Sequence, residues 1–124
     1  MFETSDAVEL QATGPYDLVC IPEALHDMAK PVEALAAARA ALAPGGRVFV
    51  ADERVADEFV APGDEIERIM YGWSVSHCLP VSRAEYPSAA LGTALRCGTV
   101  RALAAEAGFA GTEVLPIEND FFRF

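Results

Sequence analysis

Apolar residues concentrate in two short, nearly continuous runs, YDLVCI at 16–21 and VFVA at 48–51, each preceded by a glycine-containing turn, Gly14-Pro15 and Gly45-Gly46. Such a run, without polar alternation, suits a strand covered on both faces in a parallel sheet, so 16–21 is predicted to be a central strand. Between the runs, EALHDMAK is polar and leads to Pro31, whose fixed φ and missing N–H suit the first turn of a helix. Val32, Leu35, Ala36, Ala38 and Leu42 then recur at helical spacing through an alanine-rich stretch that stops at Ala43-Pro44-Gly45-Gly46. Strand, helix and strand in this order predict a right-handed parallel crossover and an α/β fold.

From residue 54 to about residue 90 the pattern changes. A helical stretch at 64–71 gives way to aromatic and small residues broken by Pro80 and Pro87, which reads as an insertion over one end of the sheet. A second amphipathic helix is predicted at 99–107, with Thr99 as its N-cap and Gly108 as its stop. The last segment, TEVLPIENDFFRF, reads as a strand, a tight turn at Asn119-Asp120 and the start of an antiparallel return strand.

Composition narrows the function classes. The formal net charge of −10 over 124 residues argues against phosphate backbones or anionic lipid as partners, since both need a basic surface. No apolar run approaches the ~20 residues that span a bilayer, and the acidic start MFETSDAVEL is unlike a signal peptide, which makes the cytoplasm the expected compartment. Cys20, Cys78 and Cys97 are widely spaced without a C-x-x-C pair, so buried thiols are expected rather than a zinc site or a disulfide framework.

The order YDLVCIPEALHDM, then ALAPGGRVFVADE, then a helix ending AEAGF, then VLPI-turn-FFRF resembles the second half of class I S-adenosylmethionine-dependent methyltransferases. ALAPGGRVFVADE is the most specific piece. The resemblance covers essentially the whole chain, from the exit of the family's third strand to the start of its seventh. It implies a single, partial Rossmann-like domain over 1–124, its mostly parallel sheet ending in an antiparallel strand and carrying a lid-like insertion at about 54–90.

The resemblance also implies a set of site residues. Asp6 and Ala7 match positions that meet the adenine of S-adenosylmethionine, and Cys20, Ile21 and Glu23 match the segment bordering its methionine and sulfonium. His26-Asp27 is similar to the pair with which plant phenol methyltransferases take a proton from the acceptor hydroxyl, which makes His26 the candidate catalytic base. The alternative is a polar loop entering the helix, capped by Asp27. Tyr71, Trp73 and His77 resemble acceptor-facing residues of a lid; as a packing anchor and its polar neighbours they would do no chemistry. Neither the family's glycine-rich G-x-G loop nor its second-strand acid can be located, and residues 1–15 leave no room for two strand–helix units. The expectation is therefore a truncated methyltransferase of weak or no activity alone, acting on a small-molecule acceptor, with the other reading a non-catalytic interaction module. Its open strand edge would take a second copy or the missing N-terminal half.

Overall fold

The structure, a computed structural model, describes residues 4–9 and 15–124. It is a small α/β protein whose three-stranded mixed sheet has the order β1-β2-β3, with β1 at Tyr16–Pro22, β2 at Leu42–Glu53 and β3 at Phe122–Arg123. β1 and β2 run parallel, with Val19 opposite Val48 and Ile21 opposite Val50. β3 pairs antiparallel with the end of β2, Asp52 opposite Arg123 and Glu53 opposite Phe122.

The crossover between the parallel strands is helix α1, Pro31–Ala40. Pro31 occupies its first turn, and Pro31, Ala34, Leu35 and Ala38 form its buried face at the i, i+3, i+4, i+7 spacing. The helix ends earlier than its periodicity predicts because the chain is captured by the sheet. Ala41 accepts a hydrogen bond from the Tyr16 N–H at 2.9 Å, and Leu42 already pairs with Tyr16. Gly46 makes this close passage possible: a Cβ there would stand 2.8 Å from the Tyr16 carbonyl oxygen.

The region at 54–90 holds α2, Glu65–Trp73, which continues through one π-helical turn at Ser74–Cys78 into the short α3, Leu79–Ser82. Asp64 caps α2, accepting the Glu67 N–H at 2.7 Å. Glu67, Met70, Ser74 and Cys78 make the buried stripe of this run. α4 spans Cys97–Glu106 and packs beside α1; its core cluster gathers Ile21, Leu25, Leu35, Leu95 and Ala107.

Several expectations need correction. The strand at 16–21 is an edge strand in the described structure, because β2 is its sole partner there, and its faces are only partly covered: Ile21 is buried, but Leu18, which borders a cavity, is 56% exposed. α4 begins at Cys97 rather than after Thr99, and the extended residue before it is Arg96, which supplies no side-chain cap. Its C-terminal stop is as expected, with Gly108 at φ 88°. Residues 112–118 form no strand: Phe122–Arg123 turns to pair with β2, leaving the Leu115 N–H to Phe124 carbonyl bond of 2.9 Å as the link to the returning chain. The turn itself is held by Asn119, whose Oδ1 accepts the Phe121 and Phe122 N–H groups at 2.9 Å each. Cys78 is buried as expected, whereas Cys20 is exposed on the edge strand and Cys97 is half-buried. No helix among the described residues is long and apolar enough to cross a membrane.

Candidate functional site

Because β1 and β2 are parallel, their register continuous from Leu18 opposite Arg47 to Pro22 opposite Ala51, both carboxyl ends lie at the same end of the sheet, where α/β proteins place their ligands. Glu23, at φ 46°, turns the chain out of β1, its N–H bonded to the Ala51 carbonyl at 2.8 Å. A short 3-10 turn at Leu25–Asp27 then sends His26 inward, while β2 ends in the acids Asp52 and Glu53. The result is a buried cluster: His26, Asp52 and Glu53 are 2%, 5% and 6% exposed.

The imidazole stands between carboxylates. His26 Nδ1 lies 2.8 Å from Asp52 Oδ1 and 3.2 Å from Glu53 Oε2, and Nε2 lies 3.4 Å from Asp27 Oδ1. One ring N–H serves one acceptor well, so the three acids cannot all be satisfied. Asp27 Oδ1, Asp52 Oδ2 and Glu53 Oε2 are buried without a hydrogen-bond partner. Burial, reinforced by the neighbouring Asp52 carboxylate and opposed by the imidazole, pushes the Glu53 carboxyl up to about 8. Burial alone would lower the His26 pKa; the Asp52 bond and the surrounding carboxylates outweigh it and leave the value raised. Cys78 faces the same cluster, and burial holds its thiol above the usual range.

Two cavities flank the cluster. One of about 390 Å³ lies between β2, α4 and the C-terminal segment; Val48, Val50, Leu95 and Phe109 wall it, and Asp52 and Glu53 border one end. The other, about 310 Å³, is bordered by Asp6, Ala7, Asp27, Met28, Lys30 and Val81. His26 lines neither, so Asp27 is the carboxylate through which the second cavity meets the imidazole.

The structure therefore brings together part of the residue set that the sequence singled out. Asp6 and Ala7 share a cavity with Asp27, although residues 4–6 are not strand and residues 2–3 lie outside the described residues. Asp6 Oδ1 also accepts the Val8 N–H at 3.0 Å, capping the turn at Ala7–Glu9. Cys20 is on the exposed edge, Ile21 is in the core and Glu23 is on an exposed turn; none of the three borders either cavity. Tyr71 and Trp73 are 40% and 55% exposed, and His77 is exposed. The Tyr71 hydroxyl accepts from Arg96 at 2.9 Å, and its ring meets Phe59 edge-on.

Sequence reading missed Asp52, Glu53 and Cys78. The signal for the first two was present in ADE: consecutive acids directly after a buried strand of a parallel sheet belong where ligands bind. Cys78 had no local signal, since it reaches the cluster through the π-helical turn. The chain matches no protein-family model and no curated protein.

Proposed function

We propose that this chain takes part in methyl transfer from S-adenosylmethionine to a small-molecule acceptor, with the His26 cluster handling the acceptor's proton. The observation that carries this reading is the convergence of His26-Asp27 and Asp52-Glu53 at the carboxyl ends of two parallel strands, beside a cavity that also touches Asp6 and Ala7. Methyl transfer to a hydroxyl needs a nearby group to take its proton, and the cluster supplies one. Asp27 meets the cavity, and His26 behind it, fixed by Asp52, stabilises or accepts the proton. On this reading His26 is a positioning residue and Asp27 is the group that touches the acceptor.

The donor is less well served. Asp6 and Ala7 border the smaller cavity, but Cys20, Ile21 and Glu23 do not join them, so the five residues make no closed cradle. Micromolar binding corresponds to about 8 kcal/mol, and each hydrogen bond to a charged group is worth about 1.5–3 kcal/mol. Lacking two or three such bonds takes the dissociation constant into the millimolar range. Isothermal titration with S-adenosylhomocysteine is therefore expected to give weak, saturable binding that Asp6→Ala weakens further. A folded chain that shows no saturation up to about 10 mM ligand overturns the methyl-transfer reading.

A second reading rests on a different observation. Among the described residues, β2 is the strand with which β1 pairs, so β1 lies at the edge of the sheet. An edge of this kind pairs with another chain, and a non-catalytic interaction module is the function left standing if the ligand titration fails.

A further inference from the structure

We propose that His26 Nδ1, Asp52 and Glu53 form a binding site for one divalent transition-metal ion of the Zn²⁺ type. Each of the three residues offers one ligand atom, and these atoms all lie within 4.8 Å of one another. The separations from Nδ1, 2.8 Å to Asp52 and 3.2 Å to Glu53, are close to what an ion requires. Metal–ligand bonds of about 2.0–2.2 Å hold neighbouring ligand atoms about 3.0–3.5 Å apart, so shifts of a few tenths of an ångström suffice.

The orphaned oxygens supply the independent reason. In the metal-free arrangement the Nδ1 proton serves Asp52 Oδ1, while Asp52 Oδ2, Glu53 Oε2 and Asp27 Oδ1 remain buried without partners. An ion on Nδ1 takes the place of that proton and coordinates both carboxylates. The ring proton then sits on Nε2, which faces Asp27 Oδ1 at 3.4 Å. That is the carboxylate–histidine–metal arrangement, with Asp27 as the outer partner that fixes the tautomer. One ion thus supplies a partner for Glu53 and, through the Nε2 proton, for Asp27, and it holds Asp52 more strongly than a ring proton does; its positive charge offsets the acids placed side by side in the interior.

The ligand set also selects among ions. Mg²⁺ and Ca²⁺ favour oxygen ligands with several retained waters; one imidazole and two carboxylates in a buried site favour Zn²⁺, followed by Fe²⁺ or Mn²⁺. Asp52 and Glu53 border the 390 Å³ cavity, which supplies the way in and room for a further ligand. His26, Asp27 and Cys78 form a second possible set, but it draws on the other ring nitrogen and requires a thiolate, and it leaves the Asp52 and Glu53 oxygens unexplained.

The inference goes beyond the methyl-transfer reading and stands or falls without it, since Zn²⁺ and S-adenosylhomocysteine are titrated separately. The chelator-treated full chain is titrated with ZnCl₂, and one equivalent is expected to bind with a dissociation constant of about 1 µM or tighter. Asp52→Asn and His26→Asn should weaken binding more than about a hundredfold, beyond the 10–100-fold of outer-partner changes, while Cys78→Ser leaves it unchanged. If the cluster variants do not fold, Co²⁺ bound to the wild-type chain gives the ligand set directly. A spectrum of nitrogen and oxygen ligation supports the site, and a thiolate charge-transfer band overturns it. No saturable Zn²⁺ binding below about 1 mM, or binding lost in Cys78→Ser, overturns it as well.

Discussion

At the residue scale, a buried carboxylate and the half-buried guanidinium that reaches it illustrate how this chain manages polar groups inside a small core. Glu67 is 2% exposed on the inner face of α2, and Arg96 reaches it with an Nη2–Oε1 distance of 2.6 Å. The same guanidinium donates to the Tyr71 hydroxyl and to the Ala56 carbonyl, tying the run after β2, α2 and the start of α4 to one point. Removing it leaves a buried carboxylate with no counter-charge, so Arg96→Ala is expected to cost about 3–5 kcal/mol in equilibrium denaturation. Arg96→Lys should recover part of this, because an ammonium lacks the planar fork that serves three acceptors at once. The Glu67–Arg96 pair could not be read from the sequence: 29 positions separate the two residues, and a charged residue on a helix is ordinarily solvated.

At the element scale, local signals located most elements while partner strands set their limits. Pro31 and Gly108 mark helix boundaries through backbone chemistry that acts within one turn, and both signals held. The end of α1 and the start of β2 were misjudged because pairing between Tyr16 and Leu42 is decided by a distant segment. Gly46→Ala tests that passage. Its Cβ would meet three backbone oxygens at 2.8–3.2 Å, which cannot rotate away, so a loss of about 1–3 kcal/mol is expected from overpacking. In α2 the Asp64 cap gives a milder expectation: Asp64→Ala should lower stability by about 1 kcal/mol, read from thermal or urea unfolding. The run at 112–118, apolar enough for a strand, forms none. β2 takes Phe122–Arg123 as its antiparallel partner, and Pro116 lacks the N–H that a ladder would use.

At the scale of the whole molecule, the described residues form a narrow three-stranded sheet in which β1 lies at an edge. Concentration-dependent association is the expected behaviour, measured by sedimentation velocity. A strictly monomeric chain across the accessible range would argue against the edge as a docking surface. The sequence by itself determined the α/β class, the parallel crossover and the placing of the His26 loop after a strand, because helical and strand periodicities and turn residues act over short distances. It did not determine the site. His26, Asp52, Glu53 and Cys78 meet only when two parallel strands bring their carboxyl ends together and the turn at Ser74–Cys78 comes to lie beside the His26 loop. The burial that makes this cluster chemically distinctive, and that leaves its oxygens without partners, is a property of packed neighbours and exists nowhere in the linear order of residues.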